Sequence, residues 1–159
     1  DHFQLEDFEI EDKEIMIEGV EGNTMELEII IEPQQAEEFG VKVLTSGDGS
    51  EETVIRYMPE KGAVEVDLRK TTLDEELMEN FYDEEKVQKA DLNLADGEDL
   101  VLRIFIDRSV LEVFINKKLC LTHRVYPTRD DHKVFIYSKN GAINVEAFNA
   151  WKMHPSNPF

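Results

Sequence analysis

Apolar residues recur at every second position along most of this chain. Ile15 and Ile17, then Met25, Leu27, Ile29 and Ile31, alternate with acids and small polar residues, the pattern of strands with one buried face. Gly19 and Gly22 bracket a turn between these runs, and Pro33 stops the second. Val41 and Val43 lead into the Gly- and Asp-rich stretch Thr45-Ser46-Gly47-Asp48-Gly49-Ser50, from which Thr53 to Tyr57 returns as a hairpin partner. Val64, Val66 and Leu68 share one side of the next run. Lys89 to Leu94, Leu100 to Ile106, Val110 to Ile115 and Leu119 to Val125 follow, parted by Asp96-Gly97-Glu98, Asp107-Arg108-Ser109 and Asn116-Lys117-Lys118. Val134 to Tyr137 and Ala142 to Trp151 flank Asn140-Gly141, a strong hairpin signal.

One stretch departs from this rhythm. Leu73, Leu77, Met78 and Phe81 recur at helical spacing, and Thr72 with Glu75 has capping-box spacing, which predicts a short helical turn over 73–81. The tail His154-Pro155-Ser156-Asn157-Pro158-Phe159 reads as a frayed end. Ten to twelve short strands at intervals of roughly 8 to 12 residues predict an all-β fold, a two-sheet antiparallel sandwich of the concanavalin-like jelly-roll type. No βαβ alternation, repeat or linker divides the chain, so 1–159 reads as a single domain.

Composition adds limits. Thirty-six acids against seventeen Lys and Arg give a formal charge of −19. Such a surface repels a phosphate backbone and an anionic bilayer, so neither nucleic acid nor membrane is an expected partner, and the acidity reads as a soluble coat. No apolar run approaches the ~20 residues that cross a bilayer. One cysteine, Cys120, excludes an internal disulfide and leaves the compartment, cytoplasmic or secreted, open. The start Asp1-His2-Phe3-Gln4 has neither a Met nor a signal pattern and reads as the inside of a longer chain or a processed end. His2, His123, His132 and His154 are scattered without ligand spacing, so no zinc is expected. Glu6-Asp7, Glu9 and Glu11-Asp12 lack a Gly-punctuated calcium loop and read as a solvated strand edge. No phosphate loop or nucleophile elbow occurs, and no cofactor is expected.

The densest motif runs Asp107-Arg108-Ser109, Glu112-Val113-Phe114, Asn116, then Arg124-Val125-Tyr126-Pro127. Leu102, Ile104 and Ile106 share one strand face, and Leu111, Val113 and Ile115 share one face of the next. Asp107 and Ser109 can accept hydrogen bonds from turn N–H groups. Glu112 and Phe114 project to the opposite face. Asp107 and Glu112 could form an acid/base pair, but a polar-capped corner is the simpler reading. This block resembles the C-terminal β-sandwich module of glycoside hydrolase family 32, which includes invertases, inulinases, levanases and sucrose-6-phosphate hydrolases. Phe39 to Val43, the Asp48-Gly49 turn with Glu51 to Val54, Val66 to Arg69, Lys86 to Leu94 and Ala147 to Met153 keep the family's order. Where the family usually has a Gly after the Asn, this chain has Lys117.

The resemblance implies that Asp107, Ser109, Glu112, Phe114, Asn116, Arg124, Tyr126 and Pro127 shape the sandwich while the chemistry lies elsewhere. Family 32 enzymes resemble other retaining glycosidases, with a carboxylate nucleophile and a carboxylic acid. These sit in an N-terminal five-bladed propeller within Asn-Asp-Pro-Asn-like, Glu-Cys and Arg-Asp-Pro motifs. This chain has no Asp-Pro dipeptide, Cys120 follows Leu119, and Arg129-Asp130 precedes Asp131. The expectation is a non-catalytic C-terminal module of a β-fructofuranosidase-like enzyme, the propeller lying outside this sequence. The propeller of the same parent chain is then its partner, with a homodimer possible. The alternative is a lectin-like module recognising fructans or other sugars, with Tyr57, Tyr82, Tyr126 and Trp151 as stacking candidates.

Overall fold

The computed structural model describes residues 1–82 and 84–153, so the tail at 154–159, read above as frayed, lies outside the described residues. Twelve strands and one helix follow in order. They are β1 (His2–Glu11), β2 (Glu14–Glu21), β3 (Thr24–Pro33), β4 (Glu38–Thr45), β5 (Thr53–Met58), β6 (Ala63–Asp67), α1 (Glu75–Asn80), β7 (Val87–Asp91), β8 (Leu100–Asp107), β9 (Val110–Ile115), β10 (Leu119–Arg124), β11 (Lys133–Lys139) and β12 (Ala142–Lys152). They form two six-stranded sheets, ordered β1-β12-β3-β8-β9-β10 (sheet A) and β2-β11-β4-β5-β6-β7 (sheet B), and every pairing is antiparallel. The quartets β1-β12-β3-β8 and β2-β11-β4-β5 interleave as in a jelly roll, and β9-β10 and β6-β7 widen it.

The period-two residues meet between the sheets. Leu27, Ile29 and Ile31 of β3, Leu102, Ile104 and Ile106 of β8, and Leu111, Val113 and Ile115 of β9 face Phe39, Val41 and Val43 of β4 and Val64 and Val66 of β6 across one core. The alternation slips once. Inward residues of β12 run Ile143, Val145, then Phe148 and Ala150, because Glu146 sits in a bulge where the register against β3 shifts between Val145 and Ala147. Opposite it, Asp7 of β1 has φ 48, so the edge strand takes the same slip. β1 carries the acids read as a solvated edge, and Glu6, Asp7, Glu9 and Glu11 are all exposed.

Because neighbouring strands alternate in direction, the connections divide between two ends. The loop end holds Asp1, Lys152 and the connections 22–23, 46–52, 68–86, 108–109 and 125–132. The turn end holds the rest, mostly tight turns. The outer face of sheet B is sealed by ion pairs. Arg56 reaches Glu65 at 2.9 Å and Asp67 at 2.7 Å, and Lys42 reaches Glu14 at 2.6 Å. Burial opposes the Arg56 charge, but Asp67 and Glu65 outweigh it and hold the guanidinium above its ordinary value. No described helix is long and apolar enough to cross a membrane.

The helix is shorter than its spacing predicted. Asp74, not Thr72, is the N-cap, its carboxylate accepting from the Leu77 N–H at 3.1 Å. Thr72 is buried beneath the loop and accepts instead from the Asp74 N–H. None of the helix side chains is buried.

At the β9–β10 turn, Asn116 and Lys117 have φ 50 and φ 55. Asn side chains tolerate the left-handed region, lysine does so at a cost, and glycine would do so freely. Lys117→Gly should therefore raise stability by about 0.5–1 kcal/mol, read as a higher urea midpoint at unchanged slope.

Candidate functional site

The most organised polar centre lies at the loop end. Glu51 is wholly buried, and its carboxylate accepts from the Leu73 N–H (2.7 Å), the Thr128 N–H (2.9 Å), the Thr128 hydroxyl (2.9 Å) and the Arg129 N–H (2.8 Å). One side chain thus ties together the loops 46–52, 68–86 and 125–132. Burial works against its ionisation, but the donors from Thr128, Arg129 and Leu73 prevail and hold the carboxyl below its ordinary range. The Thr53 and Thr71 hydroxyls, 2.6 Å apart and buried, and the Glu52 N–H to the Lys70 carbonyl at 2.8 Å brace the same loops. Sequence reading passed over Glu51 because an acid in a Gly-rich turn looks solvated.

The motif residues occupy the β8–β9–β10 ribbon of sheet A. Ser109 accepts from the Arg124 guanidinium at 2.8 Å, and its carbonyl accepts from the Val125 N–H at 2.9 Å, so the corner is closed by β10 and not by the turn's own N–H groups. Asn116 accepts from the Val101 N–H at 2.7 Å and donates to the Asp99 carbonyl at 2.8 Å, pinning the far turn to the start of β8. Phe114 stands edge-on to Phe105 at 5.8 Å on the outer face. Asp107 pairs with Val110 at the end of the ladder and Glu112 faces Phe105, so both lie on the open sheet surface and not across a cleft. Pro127 precedes the Glu51-held Thr128.

The sugar-stacking candidates do not converge. Tyr57 is buried in the core, where its hydroxyl donates to the Leu92 carbonyl at 2.9 Å and accepts from the Leu94 N–H, so its ring is closed to a ligand. That corrects its place among the candidates. Its inward parity with Ile55 is legible in the alternation of β5. Trp151 is half-buried on sheet A, its ring stacked on His2 at 4.8 Å. Tyr82 and Tyr126 do come together, each edge-on to Phe81 at 5.3 and 5.2 Å. The Tyr82 hydroxyl donates to the Arg124 carbonyl, and burial pushes its phenol up to about 12.

Beside these aromatics a cleft of about 780 Å³ opens between the edge strands β7 and β10, bordered by Leu68, Tyr82, Val87, Lys89, Thr122 and His123. His123 points inward with Leu121. Its Nε2 is buried without a hydrogen-bond partner among the described residues, and burial lowers the ring's pKa.

A second centre was invisible in sequence because its members are far apart in the chain. Carboxylate oxygens of Glu32, Asp99 and Glu146 lie within 4.8 Å of one another on the outer face of sheet A. The bulge swings Glu146 toward the others. A hydrogen bond with Asp99, with partial burial and the charges of Asp99 and Glu32, raises its carboxyl to about 7. Retaining glycosidases hold two carboxyls about 5 Å apart, and this trio reaches that spacing. It differs in lying on a sheet surface. Only Glu32 borders a neighbouring cleft, one of about 440 Å³.

Residues 4–152 match the family described as glycosyl hydrolases family 32 C terminal. The chain is 29% identical over 124 residues to beta-fructofuranosidase 1 of Zea mays, covering 73% of this chain and 18% of that protein. It is 32% identical over 127 residues to fructan 1-exohydrolase of Bromus pictus, covering 72% and 20%. Among solved structures, fructan 1-exohydrolase IIa from Cichorium intybus superposes with a TM-score of 0.82 at 18% identity, covering 96% of this chain and 35% of that one. The fructosyltransferase from A. japonicus gives 0.83 at 16%, covering 99% and 27%. The chain thus spans a fifth or less of these curated relatives and about a third or less of these solved chains.

Removing the Glu51 carboxylate strands several buried donors, so Glu51→Ala should cost about 3 kcal/mol in chemical denaturation. Since the folded pKa lies below the unfolded one, this stabilisation is complete above the unfolded value and fades as pH falls through the folded one. The gap between wild type and variant should therefore narrow in acid. For Glu146 the sign reverses, because the folded protein holds its proton more tightly. Its penalty grows as pH rises from the ordinary carboxyl range to about 7. Glu146→Gln should match the wild-type melting temperature near pH 4.5 and exceed it at pH 8.

Proposed function

Because the chain belongs to glycosyl hydrolase family 32 as its C-terminal domain, we propose that it is a non-catalytic module supporting the catalytic propeller of a β-fructofuranosidase-like enzyme. The observation that carries this reading is proportion: in the solved relatives the matching part is about a third or less of a longer chain. The carboxyl groups present here favour it as well. Asp107 and Glu112 lie on an open ladder, and the Glu32–Asp99–Glu146 trio lies on a sheet face. An oxocarbenium-forming site needs a nucleophile and an acid on opposite sides of a sugar in a water-poor pocket. The parent's substrate class is a β-fructoside, in keeping with the beta-fructofuranosidase and fructan exohydrolase among the relatives. The module's role is mechanical: a rigid sandwich holding one flank of the propeller, with assembly of two parent chains as a further use of the same scaffold.

A second reading, a sugar-binding module, draws on one observation. Tyr82, Phe81 and Tyr126 cluster beside the open β7–β10 cleft.

Purified chain incubated with sucrose and inulin should release no fructose, and titration calorimetry with fructose, sucrose, inulin and levan should give flat heats. Millimolar or tighter binding transfers the conclusion to the second reading. Hydrolysis that disappears in Glu146→Gln overturns both.

A further inference from the structure

Unsatisfied features of three kinds meet at one corner of the loop end. Leu73 and Phe81 are 49% and 51% exposed, ahead of Leu5, Met16 and Phe114 at 37–40%. The cleft between β7 and β10 opens next to Phe81 and Tyr82. At its wall the buried His123 Nε2 has no partner among the described residues. An exposed apolar pair, an open cleft and an unpaired polar atom each cost free energy in water, and each is relieved when protein covers them.

The helix between Leu73 and Phe81 is not held by burial of its own. A six-residue helix with no buried side chain is too short to persist alone. It is fixed at one flank by the Leu73 N–H on Glu51 and at the other by the Tyr82 hydroxyl on the Arg124 carbonyl. Ordering an apolar surface before it is covered lowers the entropy that covering must overcome.

We propose that the surface formed by Leu73, Phe81 and Tyr126, with the adjoining cleft, seats the domain that precedes this one in the parent polypeptide. The inference rests on the supporting-module reading and adds the face that it uses. The occupant follows from connectivity and size. A domain preceding β1 joins at Asp1, which lies at the same loop end, on the opposite edge of sheet A from β10. Five strand spacings, about 24 Å, separate those edges. The rest of the solved relatives' chains, on the order of 300 residues, would form a body with a radius of gyration near 19 Å, wide enough to reach from Asp1 to Phe81. The other faces fit less well. The outer face of sheet B is occupied by its own ion pairs, and sheet A presents Glu26, Glu28 and Glu32. The partner surface is apolar opposite Leu73 and Phe81, and offers one hydrogen-bonding group to His123.

Hydrogen exchange of the intact parent enzyme, compared with this chain alone, tests the assignment. Amides over 72–82 and 122–128 should exchange about tenfold or more slowly in the parent. Phe81→Asp in the parent should remove that protection and speed proteolysis ahead of Asp1, while leaving the melting temperature of the separate chain unchanged. Protection confined to β8 and β9, around Phe105 and Phe114, overturns the proposed face and leaves the supporting-module reading standing. An exchange pattern identical in parent and separate chain overturns both.

Discussion

The loop end depends on a single buried carboxylate. Three of its five connections have no regular pairing with one another, and in their place Glu51 gathers backbone donors from two loops while standing in the third. Burying a charge is costly unless its lone pairs are filled, and here four donors fill them. The arrangement is stable only as a whole: a loop that withdraws leaves the carboxylate undersatisfied and loosens the others. That coupling lets a short, unburied helix stand in a fixed place. It also keeps Thr128 and the neighbouring Tyr126 in register with the aromatic corner.

The two sheets supply the opposite kind of support. Their core is apolar and redundant, with many aliphatic side chains interdigitating, so no single contact decides the fold. Specificity enters at polar points on the periphery. Asn116 bridges a turn to the next strand, Ser109 receives Arg124, and Arg56 binds its acids on the outside of sheet B. The dense motif of the β8–β9–β10 ribbon is made of such points. Its residues set corners, and the ladder carrying them leaves its outer face open.

Much of this was legible in the chain. Period-two runs located the strands, and even the bulge was written in the shift from Ile143 and Val145 to Phe148 and Ala150. The helix was found, but its cap was misplaced because Thr72 and Asp74 compete for one role and only burial decides between them. Tyr57 is a stacking candidate by sequence alone, since its phenol's partner, the Leu92 carbonyl, comes from a distant loop. The carboxylate trio and the Glu51 clamp were hidden for the same reason. Both are made by residues scores of positions apart, and local pattern carries no information about such meetings.

The first strand bears on how copies of this domain meet. A sheet border with free backbone groups invites another chain to add itself. Along β1, however, Glu6, Asp7, Glu9 and Glu11 face solvent, and the left-handed residue at Asp7 breaks the straight run of donors. Two molecules aligned there would set four acids against four. The border is therefore self-repelling, and contact between copies is steered toward faces and loops instead of a continuous intermolecular sheet.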